Sequence, residues 1–256
     1  MNHQDTNLPL ITQLERLAAN TWPAAESRRF GDWRLRATFG VTRRANSVFA
    51  IGSPPAEANW RTEIESFYRE KSLPVRFHVS PASPSWLDAE LEAQGYVADS
   101  HTSMLVADAG KARQLLEPAD RFQAMLYEYA NEEWLHTFLT CEGYSEDRIP
   151  AYERIFAGIE PAHRFAVFLD RGTPVAVGTV VVESGWAGFT NIAVAEPYRR
   201  RGVGLQLMRK LIDWANEREA ENLYLQVMKN NEAALRLYAK LGFRHLFDYH
   251  YRVESR

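Results

Sequence analysis

The sequence predicts an α/β fold, a mixed central sheet flanked by helices, laid down twice along the chain. Three observations carry that prediction. In the second half, strand-like runs alternate with helical patterns: strand, motif, helix, strand, helix, strand across residues 186–253. The first half repeats that order at nearly the same spacing. Finally, the stretch YRRRGVGLQL (198–207) sets three arginines and two glycines where a strand ends and a helix begins.

The elements follow in order. Residues 9–20 space Leu10, Leu14, Leu17 and Ala18 as a helix does. Two strand-like runs, 33–39 and 42–51, are joined at Gly40; 56–71 reads as a helix and 74–80 as a strand. Residues 83–94 are predicted helical, with Gly95 positioned to end them. A strand pair is predicted in 96–108. The polar, small-residue stretch 109–121 reads as a linker, so the expected division is a first domain over 1–110 and a second over 118–256. Residues 122–130 fit either a strand or a helix. Two helices follow, NEEWLHTFLTCEG and RIPAYERIFAGI, and then three strands at 165–170, 174–184 and 186–195, with Arg-Gly and Ser-Gly pairs as turns. Leu205, Met208, Leu211, Ile212 and Ala215 give the next helix one buried face. A strand (222–228), a helix (231–241) stopped at Gly242, and closing strands (243–253) complete the chain.

The two halves align on their motifs. TRRANSVFA matches GFTNIAVA, pairing Asn46 with Asn191, and ELEAQGY matches YAKLGF. From Asn46 to Gly95 is 49 residues, and from Asn191 to Gly242 is 51, which supports an internal duplication. Between strand and helix, however, the first copy has IGSPPAEAN, without an arginine cluster and with prolines that have no N–H to give an anion.

Composition limits the function classes. The chain has 256 residues, 46% hydrophobic and 25% charged, with a formal net charge of −3, which argues against a nucleic-acid partner. The single cysteine, Cys141, excludes an intrachain disulfide and a multi-cysteine metal site, and reads as a small buried apolar residue; no metal is expected. No signal peptide and no apolar run near the ~20 residues of a membrane span is visible, so a cytoplasmic protein without membrane association is expected. Trp33, Trp86, Trp134, Trp186 and Trp214 sit at apolar-periodic positions and are expected to pack as core. His250 reads as a satisfied structural histidine, and Arg43-Arg44 as a solvated strand end.

Two glycines opening a helix allow close backbone approach and expose amides that lack an intrahelical partner, a site suited to phosphate. The dinucleotide fingerprint is excluded, because Leu207 stands where its third glycine would be, and no Gly-Lys-Ser/Thr follows. Alone, R-x-x-G-x-G fits a basic turn capping a surface helix equally well.

Its context is more specific. An apolar strand ends in Val194, Pro197 follows, then Arg199-x-x-Gly202-x-Gly204, and a strand and a helix start later Asn231-x-x-Ala234-x-x-Leu237-Tyr238-x-x-x-Gly242-Phe243. This pattern resembles the GNAT superfamily of N-acetyltransferases over roughly residues 120–256, and the first half resembles a degenerate copy of part of such a unit. The resemblance implies a GNAT-like acyl-CoA N-acyltransferase fold in tandem, with acetyl-CoA as co-substrate. By position, it implies that Arg200, Arg201, Gly202, Val203, Gly204 and Leu205, with Arg199 beside them, wrap the pyrophosphate. Ile192, Ala193 and Val194 would pair with the pantetheine arm, and Asn231 and Tyr238 would lie at the thiol end. It further implies direct attack of a primary amine, most naturally of a small molecule, with the Val194 N–H as oxyanion donor and Tyr238 assisting the thiolate. The base is open: Thr190 and Asn191 stand where many members carry a carboxylate, leaving Glu183, Glu142, Asp147, a water relay or capture of an already neutral amine. A non-catalytic acyl-CoA-binding module is the alternative function, and a monomer with two pseudo-dimeric sheets is the favoured assembly.

Overall fold

The computed structural model describes residues 7–116 and 121–255. In chain order the elements are α1 (Leu8–Asn20), β1 (Glu26–Phe30), β2 (Trp33–Ala37), β3 (Val48–Phe49), α2 (Trp60–Arg69), β4 (Arg76–Val79), α3 (Leu87–Ala93), β5 (Tyr96–Asp108) and α4 (Ala109–Gln114). There follow β6 (Gln123–Tyr127), α5 (Glu132–Glu142), α6 (Ile149–Ala157), β7 (Ala162–Asp170), β8 (Thr173–Glu183), β9 (Trp186–Val194), α7 (Val203–Asn216), β10 (Asn222–Met228), α8 (Glu232–Lys240) and β11 (Arg244–Glu254). The chain forms two units: residues up to Ser103 together with those from Phe247 onward, and Met104–Leu246. Both β5 and β11 begin in one unit and end in the other.

In the first unit the strand order is β1-β2-β3-β4-β11-β5, with β3 and β4 parallel and β4 antiparallel to β11. Trp33, Leu35, Ile64, Tyr68 and Phe77 are fully or almost fully buried and form its core. In the second unit the order is β5-β10-β9-β8-β7-β6; β9 and β10 are parallel, and β6 to β9 form an antiparallel meander. Helix α7 lays Leu207, Met208 and Leu211 into the core of this unit, all at zero exposure. Met208, Leu211, Ile212 and Ala215 keep the spacing read from the sequence, whereas Leu207 is buried and the expected Leu205 is half-buried.

Several sequence expectations change. The run 42–51 holds only the two-residue β3, because the buried Asn46 side chain organises the preceding loop. Its Oδ1 accepts from the Thr38 and Gly40 amides (2.7 and 2.9 Å), and its Nδ2 donates to the Thr38 and Thr42 carbonyls (3.1 and 2.7 Å). Residues 96–108 are one strand, not a pair. The expected linker starts as helix α4, capped by Asp108 Oδ1 accepting from the Lys111 N–H at 2.8 Å, while its residues 117–120 lie outside the described residues. Strand β1, ESRRF, escapes the sequence reading, since four of its five side chains are exposed and carry no apolar alternation. The ambiguous 122–130 stretch resolves as β6.

Trp33, Trp134 and Trp214 are buried, as expected, but Trp86 at the start of α3 is 42% exposed. His250 is hydrogen-bonded through Nε2 to Asp88 Oδ1 at 2.9 Å. Arg43 pairs with Asp99 at 2.6 Å and Arg44 lies over the Trp22 ring, so neither is a merely solvated end.

Candidate active site

The site is built where β9 leaves its neighbour. Strands β9 and β10 pair from Trp186↔Asn222 to Phe189↔Leu225 and then part, although β9 continues to Val194 and β10 to Met228. The cause lies on the other side of β9. Val177 faces Ala193 and Thr179 faces Thr190, so two residues, Asn191 and Ile192, oppose the single Gly178. This is a β-bulge, which bends the strand that carries it. Asn191 takes φ +57°, in the left-handed region where asparagine is tolerated, and its Nδ2 donates to Thr179 Oγ1 at 3.0 Å. Gly178 fits for steric reasons: a Cβ there would stand 2.8 Å from Ile192 Cδ1 and 2.9 Å from Leu211 Cδ1.

Beyond the bulge the hydrogen-bond directions are fixed. The Ala195 N–H donates to the Val175 carbonyl at 2.9 Å, so antiparallel alternation turns the main-chain groups of Val194, and of Ile192 two residues earlier, toward the edge that β10 has left. The Val194 carbonyl on that edge accepts from Arg199 Nε at 3.0 Å. Its N–H remains available.

The chain then enters α7 through a single turn, Glu196–Tyr198. Arg200 has φ +62° and Gly202 φ +82°, placing left-handed residues on both sides of Arg201, a backbone form that gathers successive N–H groups into a concavity. The first amide bonded into the helix is that of Gln206, to the Gly202 carbonyl at 3.1 Å, and no side chain caps the end. The preceding amides therefore point outward at the positive end of a 14-residue helix. A Cβ on Gly202 would meet nothing within 4 Å, whereas one on Gly204 would lie 3.3 Å from Leu237 Cδ2. Gly202 serves backbone conformation and Gly204 serves the packing of α7 against α8.

The three arginines separate in role. Arg200 and Arg201 are exposed beside the cradle, with the Arg201 guanidinium over the Tyr198 ring at 5.4 Å. Arg199, by contrast, is bonded to main chain. Its N–H goes to the Glu196 carbonyl at 3.2 Å, and its guanidinium reaches the Val194 carbonyl and, at 3.4 Å, the Cys141 carbonyl. It ties the end of α5 to the end of β9.

Asn231 acts locally as well, with its Oδ1 accepting from the Ala234 N–H at 3.1 Å to cap α8. Tyr238, about two turns further on, is 7% exposed with its ring 5.8 Å from Phe243. Its hydroxyl has no hydrogen-bond partner among the described residues and is not sealed from solvent. Burial, and secondly the charge of Glu142, hold the phenol well above its ordinary value. Cys141 is likewise pushed up to about 11 by burial and then by Glu142, so it remains a thiol at neutral pH. Among the described residues no group of three or more His, Cys, Asp or Glu side chains is arranged to hold a metal, and no helix is long and apolar enough to cross a membrane.

The corresponding place in the first unit is closed. There β3 and β4 pair through Phe49↔His78, and the chain beyond them stays tied, with the Gly52 N–H on the Ala82 carbonyl at 3.1 Å. Pro54 and Pro55 follow, and the next helix starts only at Trp60.

An open strand edge beside an uncapped, glycine-started helix suits an extended ligand that carries phosphate. A family model described as "Probable histone acetyltransferase Rv0428c C-terminal" matches residues 10–252. The chain is 39% identical over 244 residues to YobR, an uncharacterized N-acetyltransferase of Bacillus subtilis, covering 95% of this chain and 98% of that one. Streptothricin acetyltransferase A of the same organism is 30% identical over 135 residues, 50% of this chain and 75% of its own. A solved tandem GNAT protein from the clavulanic acid biosynthesis pathway shares the fold, with a TM-score of 0.63 at 12% identity over 98% of this chain and 95% of that one. The chain belongs to the GNAT superfamily of N-acetyltransferases, enzymes that use acetyl-CoA.

Proposed function

We propose that the second unit transfers the acetyl group of acetyl-CoA to a primary amine of a small molecule by direct attack in a ternary complex. The observation that carries this reading is the unpaired edge at Ile192–Val194 leading straight into the uncapped start of α7. The residues fit the group. The amides of 200–205, flanked by Arg200 and Arg201, suit a pyrophosphate. The β9 edge, with Ala193 turned to β8 and its neighbours turned outward, suits an amide-bearing arm added as a strand would be.

Acetyl-CoA supplies an acyl carbon activated by a thiol leaving group. The chain supplies the rest. The Val194 N–H donates to the acyl oxygen as its charge grows, and Arg199, by holding the Val194 carbonyl, fixes the direction of that peptide. Tyr238 Oη holds a hydrogen bond for the departing sulfur. With its pKa raised, the phenol acts as donor rather than as full acid. The small-molecule acceptor is supported by similarity to an enzyme named for streptothricin.

Calorimetric titration with acetyl-CoA tests the reading. One site per chain is expected, because the first unit's counterpart is tied shut. No binding ends the reading, and two sites end the assignment to the second unit alone. A screen of polyamines, amino acid amides and peptide α-amines then decides the acceptor class, and acetylation confined to peptides would replace the small-molecule assignment.

A further inference from the structure

We propose that the Glu142 carboxylate takes the proton from the acceptor amine; this rests on the acetyl-transfer reading above. An alkylamine near pKa ~10.4 arrives at neutral pH as an ammonium and cannot attack until it loses a proton. The sequence leaves several carboxylates open for that role, and the structure separates them.

Glu183 pairs with Trp186 at the far end of the β8–β9 hairpin, eight residues from Val194 and so about 26 Å along the strand. Asp147 is already engaged, accepting a hydrogen bond from Ser145. Asp213 on α7 is engaged by Arg113 and Arg209. Thr190 and Asn191 are not bases, and the Asn191 amide is turned to Thr179.

Glu142 differs in place and in partners. It is the last residue of α5, which ends at Gly143 with φ +70°, and it adjoins Cys141, whose carbonyl Arg199 joins to the Val194 carbonyl. The helix end is thereby held beside the open tip of β9. The Glu142 carboxylate makes no ion pair or hydrogen bond among the described residues, yet its charge acts on both Arg199 and Tyr238. The residue is exposed, yet desolvation by its neighbours raises its proton affinity above that of an ordinary glutamate, and Arg199 counters this only in part. A raised carboxylate is better matched to proton abstraction near neutrality than a fully solvated one. An unpaired anion there also favours a cationic acceptor.

The proton and bond accounting closes. The ammonium gives one proton to Glu142, the freed lone pair forms the C–N bond, and the C–S bond breaks. The nitrogen then releases a second proton, and the thiolate takes one to leave as the thiol. One proton returns to solvent overall as Glu142 ionises again.

The test combines three measurements on the full chain. Carbon-13 NMR of glutamate-labelled protein without ligand, assigned by the signal missing in Glu142→Gln, is expected to show Glu142 titrating above the other glutamates; an ordinary value overturns the proposal. Acetyl-CoA binding by calorimetry is expected to agree within about threefold between wild type and Glu142→Gln. Failure of the wild type to bind removes the parent reading and this inference together. With an amine that the wild type acetylates, Glu142→Gln is expected to lose about 10²-fold in kcat/KM at pH 7, recovering toward the pKa of the amine, and Glu142→Asp to retain part of the activity. An active wild type with an unchanged pH profile in Glu142→Gln overturns the role of Glu142 and leaves acetyl transfer standing.

Discussion

Tyr238 and Arg199 show how single side chains at this site divide their work. Tyr238 is buried, with a free hydroxyl and a raised pKa, so it stays protonated through the alkaline range in which enzymes are assayed. Tyr238→Phe removes one donor and nothing else of bulk. It is expected to lower kcat by about 10²-fold while the acetyl-CoA Kd, read by calorimetry, moves less than about threefold; unaltered turnover at saturating acceptor would remove Tyr238 from the chemistry. The arginines separate by a different readout. Arg200→Ala and Arg201→Ala are expected to weaken acetyl-CoA binding and flatten its salt dependence, since exposed cations act on phosphate through screened charge. Arg199→Ala is expected to lower kcat more than affinity, because its guanidinium holds the Val194 peptide and the end of α5. Equal losses of affinity across all three variants would return Arg199 to the phosphate.

At the level of elements, the bulge in β9 sets the site, and it depends on Gly178. Gly178→Ala sets a methyl within 3 Å of Ile192 Cδ1 and Leu211 Cδ1. A cost of about 1–3 kcal/mol is expected from urea unfolding. Ile192→Val deletes the nearer of those methyls, so the double variant is expected to recover part of the loss; strict additivity would show that the bulge does not rest on this contact. Little of that is legible in the sequence. Helix α7 and strand β10 are, because Met208, Leu211, Ile212 and Ala215 repeat at helical spacing and NLYLQVM reads as a strand. The cradle is legible too, because glycine at 202 and 204 is a local signal. The bulge is not: Thr190-Asn191 reads as plain strand, and only the opposite strand's Gly178 explains why the register slips. The bonding of Arg199 is hidden for a related reason, since its acceptor Cys141 is 58 residues away. Asn46 reads as part of a strand, although its four hydrogen bonds make the loop that shortens β3. Side chains that bond to distant main chain leave no periodic trace.

Over the whole molecule, buried tyrosines set the response to high pH. Tyr68, Tyr249 and Tyr251 in the first unit and Tyr224 and Tyr238 in the second are raised by burial, and Tyr96 and Tyr152 are pushed up to about 12. In the unfolded chain each ionises near ~10. The folded state therefore binds more protons above that value, and stability falls as pH rises. The contribution of these groups is fully present below pH ~10 and is lost upward from there, at about 1.4 kcal/mol per pH unit for each phenol that is ionised only when unfolded. Several such groups acting together exceed the ~5–15 kcal/mol that holds a domain folded within about one to two pH units. Since both units carry them, both are expected to unfold in the same interval, between about pH 10 and 12. Far-UV circular dichroism and tyrosinate absorbance, followed together, check this. Coincident, steep transitions are expected. A gradual rise of tyrosinate absorbance with unchanged dichroism would mean that these hydroxyls reach solvent in the folded protein, and would weaken the argument that Tyr238 remains a hydrogen-bond donor at the site.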